Sequence, residues 1–595
     1  MSKASDIDIE AMREKYRSER DKRLDTAGTD QYNFAEGKYG KFDTDPHAGP
    51  PPNREPLAEE LDVLVVGGGL GGLQLGATLR RNGIGNFRML DVAADFGGTW
   101  YWNRYPGLRC DVESYIYLPF LEETGHVPTE RYVRGSEIFG YCQKLGRHFQ
   151  LYERALFQTK VTALVWSEAE ARWQVETSRG DKFRARFVVT QSGIFSRPQL
   201  PGIPGIEDYE GCSFHSARWN YDFTGGSPDS AMDRLHDKKV GIIGTGATAI
   251  QVVPELAKTA RHLTIFQRTP TAVGIRDNGP TNMEWFNSLP AGWQKARQIS
   301  FNQIANGENV DCPVDDGWAR FFQHMIAAAE SVLLPERTPE TVETAQEAAD
   351  YQLNEIVRAR VDQYVQDPQV ASRLKAYYRT QCKRPGFSDD YLSVFNQNNV
   401  DLVDVSAGID RVTARGIVVE GIEHELDCLI FCTGFELGTT WAHQAGYEVV
   451  GREGQLLSVK WAKGLRTYQG LFSHGFPNIF FMGLTQTGTT ISVPHMLQEQ
   501  ADHISHVIKD CAAEGITAVE ATEEAETAWQ EVIGQVNDAR RPFQQACTPG
   551  YFNADGRPED MRSAIGSGIY FPSTGFFRMW AEWREDGSFA GLDVQ

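Results

Sequence analysis

Two short glycine turns constrain this chain more than anything else in it. The first lies in LDVLVVGGGLGGLQLGATLRRNGIGNFRMLD, where Gly67, Gly69 and Gly72 give GxGxxG. A buried-strand pattern starting at Leu61 precedes them and an amphipathic helix pattern follows, the setting in which such a turn cradles a dinucleotide. Gly67 permits the tight turn, Gly69 lets backbone approach a pyrophosphate, and Gly72 lets helix and strand pack closely. The helix N-terminus adds unpaired N–H groups and a positive dipole end. The second turn lies in KKVGIIGTGATAIQVVPELAKTARHLTIFQR, where Gly244, Gly246 and Ala249 give GxGxxA after a strand pattern starting at Lys239.

The two units share a spacing and differ in charge. Asp91 stands 24 residues after Gly67, and Arg268 stands 24 residues after Gly244. A carboxylate at that place accepts hydrogen bonds from ribose hydroxyls and repels a 2′-phosphate. An arginine fork matches a 2′-phosphate. The simplest reading is FAD at the first turn and NADPH at the second. The strands RFVVTQSG and DCLIFCTG, ending near Thr190–Gly193 and Thr433–Gly434, read as return crossings between two dinucleotide domains.

The expected fold is therefore α/β, with two dinucleotide-binding, Rossmann-like domains, the second inserted into the first. Residues 1–57 form an N-terminal helical extension and strap, with a charged helix over 5–25. Residues 58–200 form the first part of the FAD domain. Residues 201–410 form the NADPH domain, with a helical insertion at about 280–380 whose stretch 339–379 is rich in Ala, Glu, Gln and Arg. Residues 411–595 return to the FAD domain and end in a tail whose aromatics and turn signals read as a hairpin.

Composition narrows the function classes. The chain has 595 residues, a formal charge of -21 and 41% hydrophobic residues. That size accommodates two or three domains, and the acidity argues against a nucleic-acid footprint. No apolar run is long enough to span a bilayer, and the charged N-terminus is no signal peptide. The nine cysteines show no CxxC pair and no metal-ligand spacing. They read as reduced thiols in a cytoplasmic protein, with no metal site.

Other segments carry a resemblance. GGTWYWNRYPGLRCD (97–111), YEGCSFHSARWN (209–220), TQCKRPGFSDDY (380–391) and CTPGYFN (547–553) resemble segments of the Baeyer–Villiger monooxygenases, class B flavoprotein monooxygenases. The likeness covers roughly residues 10–590. The first segment matches at Gly98, Trp100, Tyr105, Pro106, Gly107 and Asp111. The second is similar to the family fingerprint FxGxxxHxxxW at Gly211, His215 and Trp219, with Tyr209 in place of Phe and Asn220 in place of Pro or Asp. CTPGYFN and the N-terminal extension resemble the subgroup acting on bulky cyclic, steroid or aryl ketones. The Trp-containing loop of smaller members is absent, so no tryptophan contact is carried over.

The resemblance implies an NADPH- and O2-dependent enzyme that turns a ketone into an ester or lactone through a C4a-peroxyflavin. Such a peroxide must be anionic to attack a carbonyl, so a fixed cation belongs beside it in a water-poor pocket. Arg384 matches the family's catalytic arginine. Asp111 matches the aspartate that holds it, here expected as a bidentate pair with a buried guanidinium. Trp100 and Tyr117 would pack on FAD, and Gly98, Asp111 and Val161 belong to the same cofactor set. Thr245, Thr269, Arg268 and Lys383 would serve NADPH, with Lys383 assisting Arg268 at the 2′-phosphate. His215 and Trp219 fit a hinge role, with His215 ordering backbone. Competing readings are an N- or S-oxygenating flavin monooxygenase, which uses the protonated hydroperoxide, and a non-catalytic FAD/NADPH redox sensor. A disulfide reductase is disfavoured because no CxxxxC follows the first turn.

Overall fold

The computed structural model describes residues 7–191, 193–333 and 335–595. Residues 5 and 6 of the expected N-terminal helix, and Ser192 of the first return crossing, lie outside the described residues.

Each glycine turn leaves the middle of a parallel sheet. Ala58–Val66 pairs in parallel with Phe87–Leu90 on one side and Lys182–Thr190 on the other. Ile479–Phe481 extends the sheet beyond Lys182–Thr190, and Ala155–Leu156 extends it beyond Phe87–Leu90. The second sheet repeats this order with Val400–Asp404, His262–Gln267, Lys239–Ile243, Cys428–Phe431 and Cys212–His215, all parallel. In each unit an antiparallel meander precedes or forms the returning strand: Val161–Ser167 and Arg172–Thr177 in the first, and Arg411–Thr413, Gly416–Val419 and Ile422–Glu425 in the second. The repeat seen in the sequence is thus a repeat of topology. It puts both turns at the carboxyl ends of central strands, where open α/β sheets take their ligands.

The turn glycines are forced by the return crossings. Gly67 has φ +119, and a Cβ there would lie 2.5 Å from the Gln191 carbonyl oxygen. Gly244 has φ +105, and a Cβ there would lie 2.4 Å from the Cys432 carbonyl oxygen. Both positions require a conformation and a clearance that only glycine supplies.

The helical insertion is present as Trp293–Ala305, Gly317–Glu330, Pro339–Tyr364 and Pro368–Leu374. It docks on the first unit through polar groups as well as apolar ones. Arg297 pairs with Glu113 through both carboxylate oxygens, both residues being buried. Gln294 Nε2 donates to the carbonyls of Tyr115 and Leu118 at 3.0 and 2.7 Å. These contacts leave neither buried charge unpaired, which is the condition for burying it.

The N-terminal strap is ordered rather than a free linker. Tyr32–Phe34 pairs antiparallel with Gln199–Pro201. Asp45 accepts from the Tyr101 hydroxyl at 2.8 Å, and Asp43 accepts from Arg218 at 2.6 Å. The charged helix runs over Ile9–Asp21, and Tyr16 is its one buried residue.

Three expectations need correction. Cys428–Phe431 sits inside the second sheet, so a unit ending at 410 cuts that sheet; the strand is short and its partners are remote in sequence. The C-terminal tail is a helix, Ser573–Asp586, followed by Leu592–Val594 pairing with Val519–Ala521, and not a hairpin. Its aromatics Phe576 and Trp580 are buried at helical spacing against Trp529 and His503. The cysteines are not all free thiols: Cys382 and Cys547 form a disulfide across 165 residues, with Cα atoms 5.1 Å apart, and the other seven are free. Sequence spacing cannot reveal such a pair, because the fold alone brings its ends together. Titration of the unfolded protein should therefore count seven thiols without reductant and nine after reduction; nine in both states would remove the cross-link.

Candidate active site

The first turn and the segment after it form one surface. Gly69 faces Gly98, whose φ is +53 and whose Cβ would lie 2.7 Å from the Gly69 Cα. Gly72 sits against the carbonyl of Gly67, and its N–H donates to Gln191 Oε1 at 2.9 Å. Asp91 ends Phe87–Leu90 with one carboxylate oxygen accepting from the Gly68 N–H and the other from the Ala93 N–H, the latter at 2.7 Å. Burial pushes its carboxyl up, and those N–H groups pull it back. Each oxygen retains a lone pair for a ribose hydroxyl. Trp100 and Tyr117 meet edge to face, with the indole N–H donating to the Tyr117 hydroxyl at 3.2 Å. Val161 is buried among Leu61, Leu64 and Leu90, so its side chain belongs to the core.

At the second turn, a Cβ on Gly246 would meet no atom within 4 Å, so the backbone there is open to close approach. Ala249 is tolerated where the first unit has Gly72. The Thr245 hydroxyl donates to the Thr269 carbonyl at 2.7 Å. The Thr269 hydroxyl is buried and has no partner. Arg268 reaches Gln31 Oε1 at 3.0 Å, the Tyr32 hydroxyl at 3.4 Å and Asp555 at 3.6 Å. Lys383 Nζ donates to the Pro549 carbonyl at 2.6 Å. Burial pulls the Lys383 ammonium down to about 8, with the positive charge of Arg268 adding to the effect. An anion placed between these two cations would be stabilised by both. The donors, the open glycine backbone and the unpartnered Thr269 hydroxyl fit a phosphate-bearing dinucleotide.

The two charged residues matched to the family's arginine and aspartate come together. Arg384 and Asp111 are 273 residues apart in sequence, and Arg384 Nη2 donates to Asp111 Oδ1 at 2.6 Å. The contact is a single bond rather than the bidentate pair expected, and Asp111 Oδ2 is buried without a partner. The burial is also uneven: the Asp111 side chain is 9% exposed and that of Arg384 is 39% exposed. The carboxylate is thus the fixed end and the guanidinium the presented end. The Arg384 guanidinium lies 5.9 Å from the Trp318 ring, which the helical insertion supplies. Desolvation opposes the charge on Arg384, and Asp111 together with Tyr551 and Cys110 outweighs it, so its pKa is raised.

Several residues around the pair carry no sequence signal. Gln251 Oε1 accepts from the Arg109 N–H at 2.8 Å and from Arg276 at 3.1 Å. Asp316 caps Gly317–Glu330 by accepting from the Ala319 N–H at 2.8 Å, and burial pushes its carboxyl up to about 7. The fingerprint residues sit in the crossing. His215 is buried and Nδ1 accepts from the Ala217 N–H at 3.2 Å; burial holds its pKa down at about 3, so the ring is neutral. Trp219 donates to the Thr224 hydroxyl at 3.1 Å. Asn220, where the fingerprint has Pro or Asp, caps Tyr221–Thr224 by accepting from the Phe223 N–H at 3.0 Å. An Asn side-chain oxygen serves that purpose as well as an Asp one. Among the described residues no group of three or more His, Cys, Asp or Glu could hold a metal, and no helix is long and apolar enough to cross a membrane.

Comparison with known proteins agrees with this arrangement over almost the whole chain. Residues 64–281 match the family described as pyridine nucleotide-disulphide oxidoreductase. A Baeyer–Villiger monooxygenase of Streptomyces coelicolor is 43% identical over 595 residues, covering 98% of each chain. The solved polycyclic ketone monooxygenase of the fungus Thermothelomyces thermophila is 37% identical, covers 99% of each chain and superposes with a TM-score of 0.90. A solved structure of a protein named OTEMO, in complex with FAD and NADP, is 26% identical, spans 91% of this chain and 100% of its own, and superposes with a TM-score of 0.72. The chain belongs to the Baeyer–Villiger monooxygenases.

Proposed function

We propose that this chain converts a bulky cyclic, steroid or aryl ketone, with dioxygen, NADPH and a proton, into the ester or lactone, water and NADP+. The observation that carries the reading is the 2.6 Å contact between Arg384 and Asp111. When bound, FAD activates dioxygen and NADPH supplies the hydride. Gly67, Gly69, Gly72, Asp91, Gly98, Trp100, Asp111, Tyr117 and, through its backbone only, Val161 serve FAD, and Gly244, Thr245, Gly246, Ala249, Arg268, Thr269 and Lys383 serve NADPH. A cytoplasmic setting is part of the same proposal.

Arg384 presents a permanent cation to the reacting oxygens. It stabilises negative charge on the attacking oxygen and then on the former carbonyl oxygen of the adduct. Asp111 orients the guanidinium without being consumed. Because Asp111 is the buried partner and Arg384 the exposed one, the arginine can turn toward a substrate while its charge stays paired. A preorganised cation of this kind does its work without reorganising during the reaction. The same cation disfavours the N- or S-oxygenating alternative, which needs the peroxide protonated. The Trp318 ring, 5.9 Å from the guanidinium, shields part of it from water, and a drier setting strengthens its field.

Arg384→Ala should bind FAD and be reduced by NADPH at the parent rate, yet lose ester formation by about 10²–10³. Product analysis that finds ester at the parent rate would remove Arg384 from catalysis. Arg268→Ala should narrow the preference for NADPH over NADH, and steady-state kinetics with both nucleotides check it. Lys383 gives a pH dependence. It is cationic below about 8 and neutral above, so NADP+ affinity should be flat below that pH and weaken as pH rises through it. The loss should approach tenfold per pH unit and vanish in Lys383→Met. Binding titrations across pH read this directly, and a limb that persists in Lys383→Met would assign it elsewhere.

A further inference from the structure

The guanidinium assigned above to the 2′-phosphate is already engaged. Arg268 Nη1 donates to Gln31 Oε1, both terminal nitrogens approach the Tyr32 hydroxyl, and Nη2 lies 3.6 Å from Asp555 Oδ1. Gln31 and Tyr32 come from the N-terminal strap. Asp555 comes from the turn after Glu523–Ala546, nearly at the other end of the chain. Its side chain is only 6% exposed. The Tyr32 hydroxyl donates to the same Oδ1 at 3.1 Å, and the Asp555 N–H donates to the Gly550 carbonyl at 2.9 Å. The carboxylate is therefore held in place.

Its turn is tethered close to Arg268. Cys547 is bonded to Cys382, and Lys383 Nζ donates to the Pro549 carbonyl. Asn553 ties the turn together, accepting from the Gly550 N–H at 2.9 Å and donating to the Gln544 and Cys547 carbonyls. A group fixed this way acts as an intramolecular ligand at high effective concentration. A phosphate arriving at Arg268 would meet a buried carboxylate on the same guanidinium, and like charges that close repel strongly. One anion must leave.

We propose that Asp555 is a tethered competitor for the phosphate site of Arg268, so that a nucleotide bearing a 2′-phosphate binds by displacing the Asp555 carboxylate. The inference rests on the reading of Arg268 as the 2′-phosphate ligand. It makes Asp555 a specificity-determining residue: it weakens binding of the phosphorylated nucleotide and has no effect on the unphosphorylated one. It also keeps Arg268 paired at other times, which avoids an isolated cation beside Lys383.

The test is calorimetric titration of the flavin-loaded enzyme with adenosine 2′,5′-bisphosphate and with 5′-AMP. Asp555→Asn should bind the bisphosphate about tenfold tighter than the parent, as expected for removing one close like charge. Asp555→Glu should stay within about twofold of the parent, because the charge remains. Binding of 5′-AMP should be the same in all three. Unchanged or weaker bisphosphate binding in Asp555→Asn overturns the proposal, and so does equal tightening in Asp555→Glu. Arg268→Ala separates the underlying reading. If it binds the bisphosphate as tightly as the parent does, the assignment of Arg268 fails, whatever Asp555 does. If it binds more weakly while Asp555→Asn is unchanged, only the competitor fails. The unmodified protein gives a second readout that needs no variant. Saturation with the bisphosphate should speed amide hydrogen exchange over 551–556, and equal or slower exchange contradicts displacement.

Discussion

The arrangement of this enzyme depends on one charge pair that no local structure could assemble. Asp111 lies in the segment between the first unit's second strand and Gly135–His148, and Arg384 lies beyond the helical insertion, 273 residues later. A carboxylate as buried as Asp111 requires a cation, and in the catalytic role proposed for Arg384 that cation requires an anchor that leaves one face free. Both demands are met by a single hydrogen bond with the burial placed on the acid. A bidentate pair would have tied up the guanidinium more completely.

Holding that pair is the task of the segments outside the two sheets. The helical insertion is fastened to the first unit by the buried Arg297–Glu113 pair and by Gln294, close to where Asp111 lies. The segment carrying Lys383 and Arg384 is fastened at the other side to the C-terminal turn through Cys382–Cys547 and the Pro549 carbonyl. The N-terminal strap completes the ring, with Tyr32 touching both Arg268 and Asp555. The extra chain at both ends therefore reaches Arg268, the proposed phosphate ligand, rather than merely covering the surface. Its charges meet there in a cluster of Arg268, Lys383, Asp555 and the strap polar groups.

Local patterns carried much of this. Strand, glycine turn and helix follow one another within about 30 residues, so their physics is readable from neighbours along the chain. The difference between Asp91 and Arg268 at matched spacing was legible for the same reason. Placing Arg384 beside Asp111 needed the likeness to a known family, because spacing alone says nothing about residues so far apart. The contacts of Gln191, Gln251 and Asp316 were invisible: the first two lie in segments whose glycines and strands drew the reading, the third in a segment with no motif, and the partners of all three come from other elements.

What the sequence by itself determined is the pair of dinucleotide-binding units, the order in which they occur and the opposite charges of Asp91 and Arg268 at matched spacing, because turn geometry and hydrophobic period are local properties. Tertiary structure alone decided that the Cys428 strand belongs to the second sheet, that the C-terminal aromatics lie on a helix, that Cys382 meets Cys547, and that Asp555 sits on Arg268. Each of these depends on which remote segments pack together. Burial and charge pairing across the folded chain set that outcome, and a linear pattern does not encode it in any neighbouring residues.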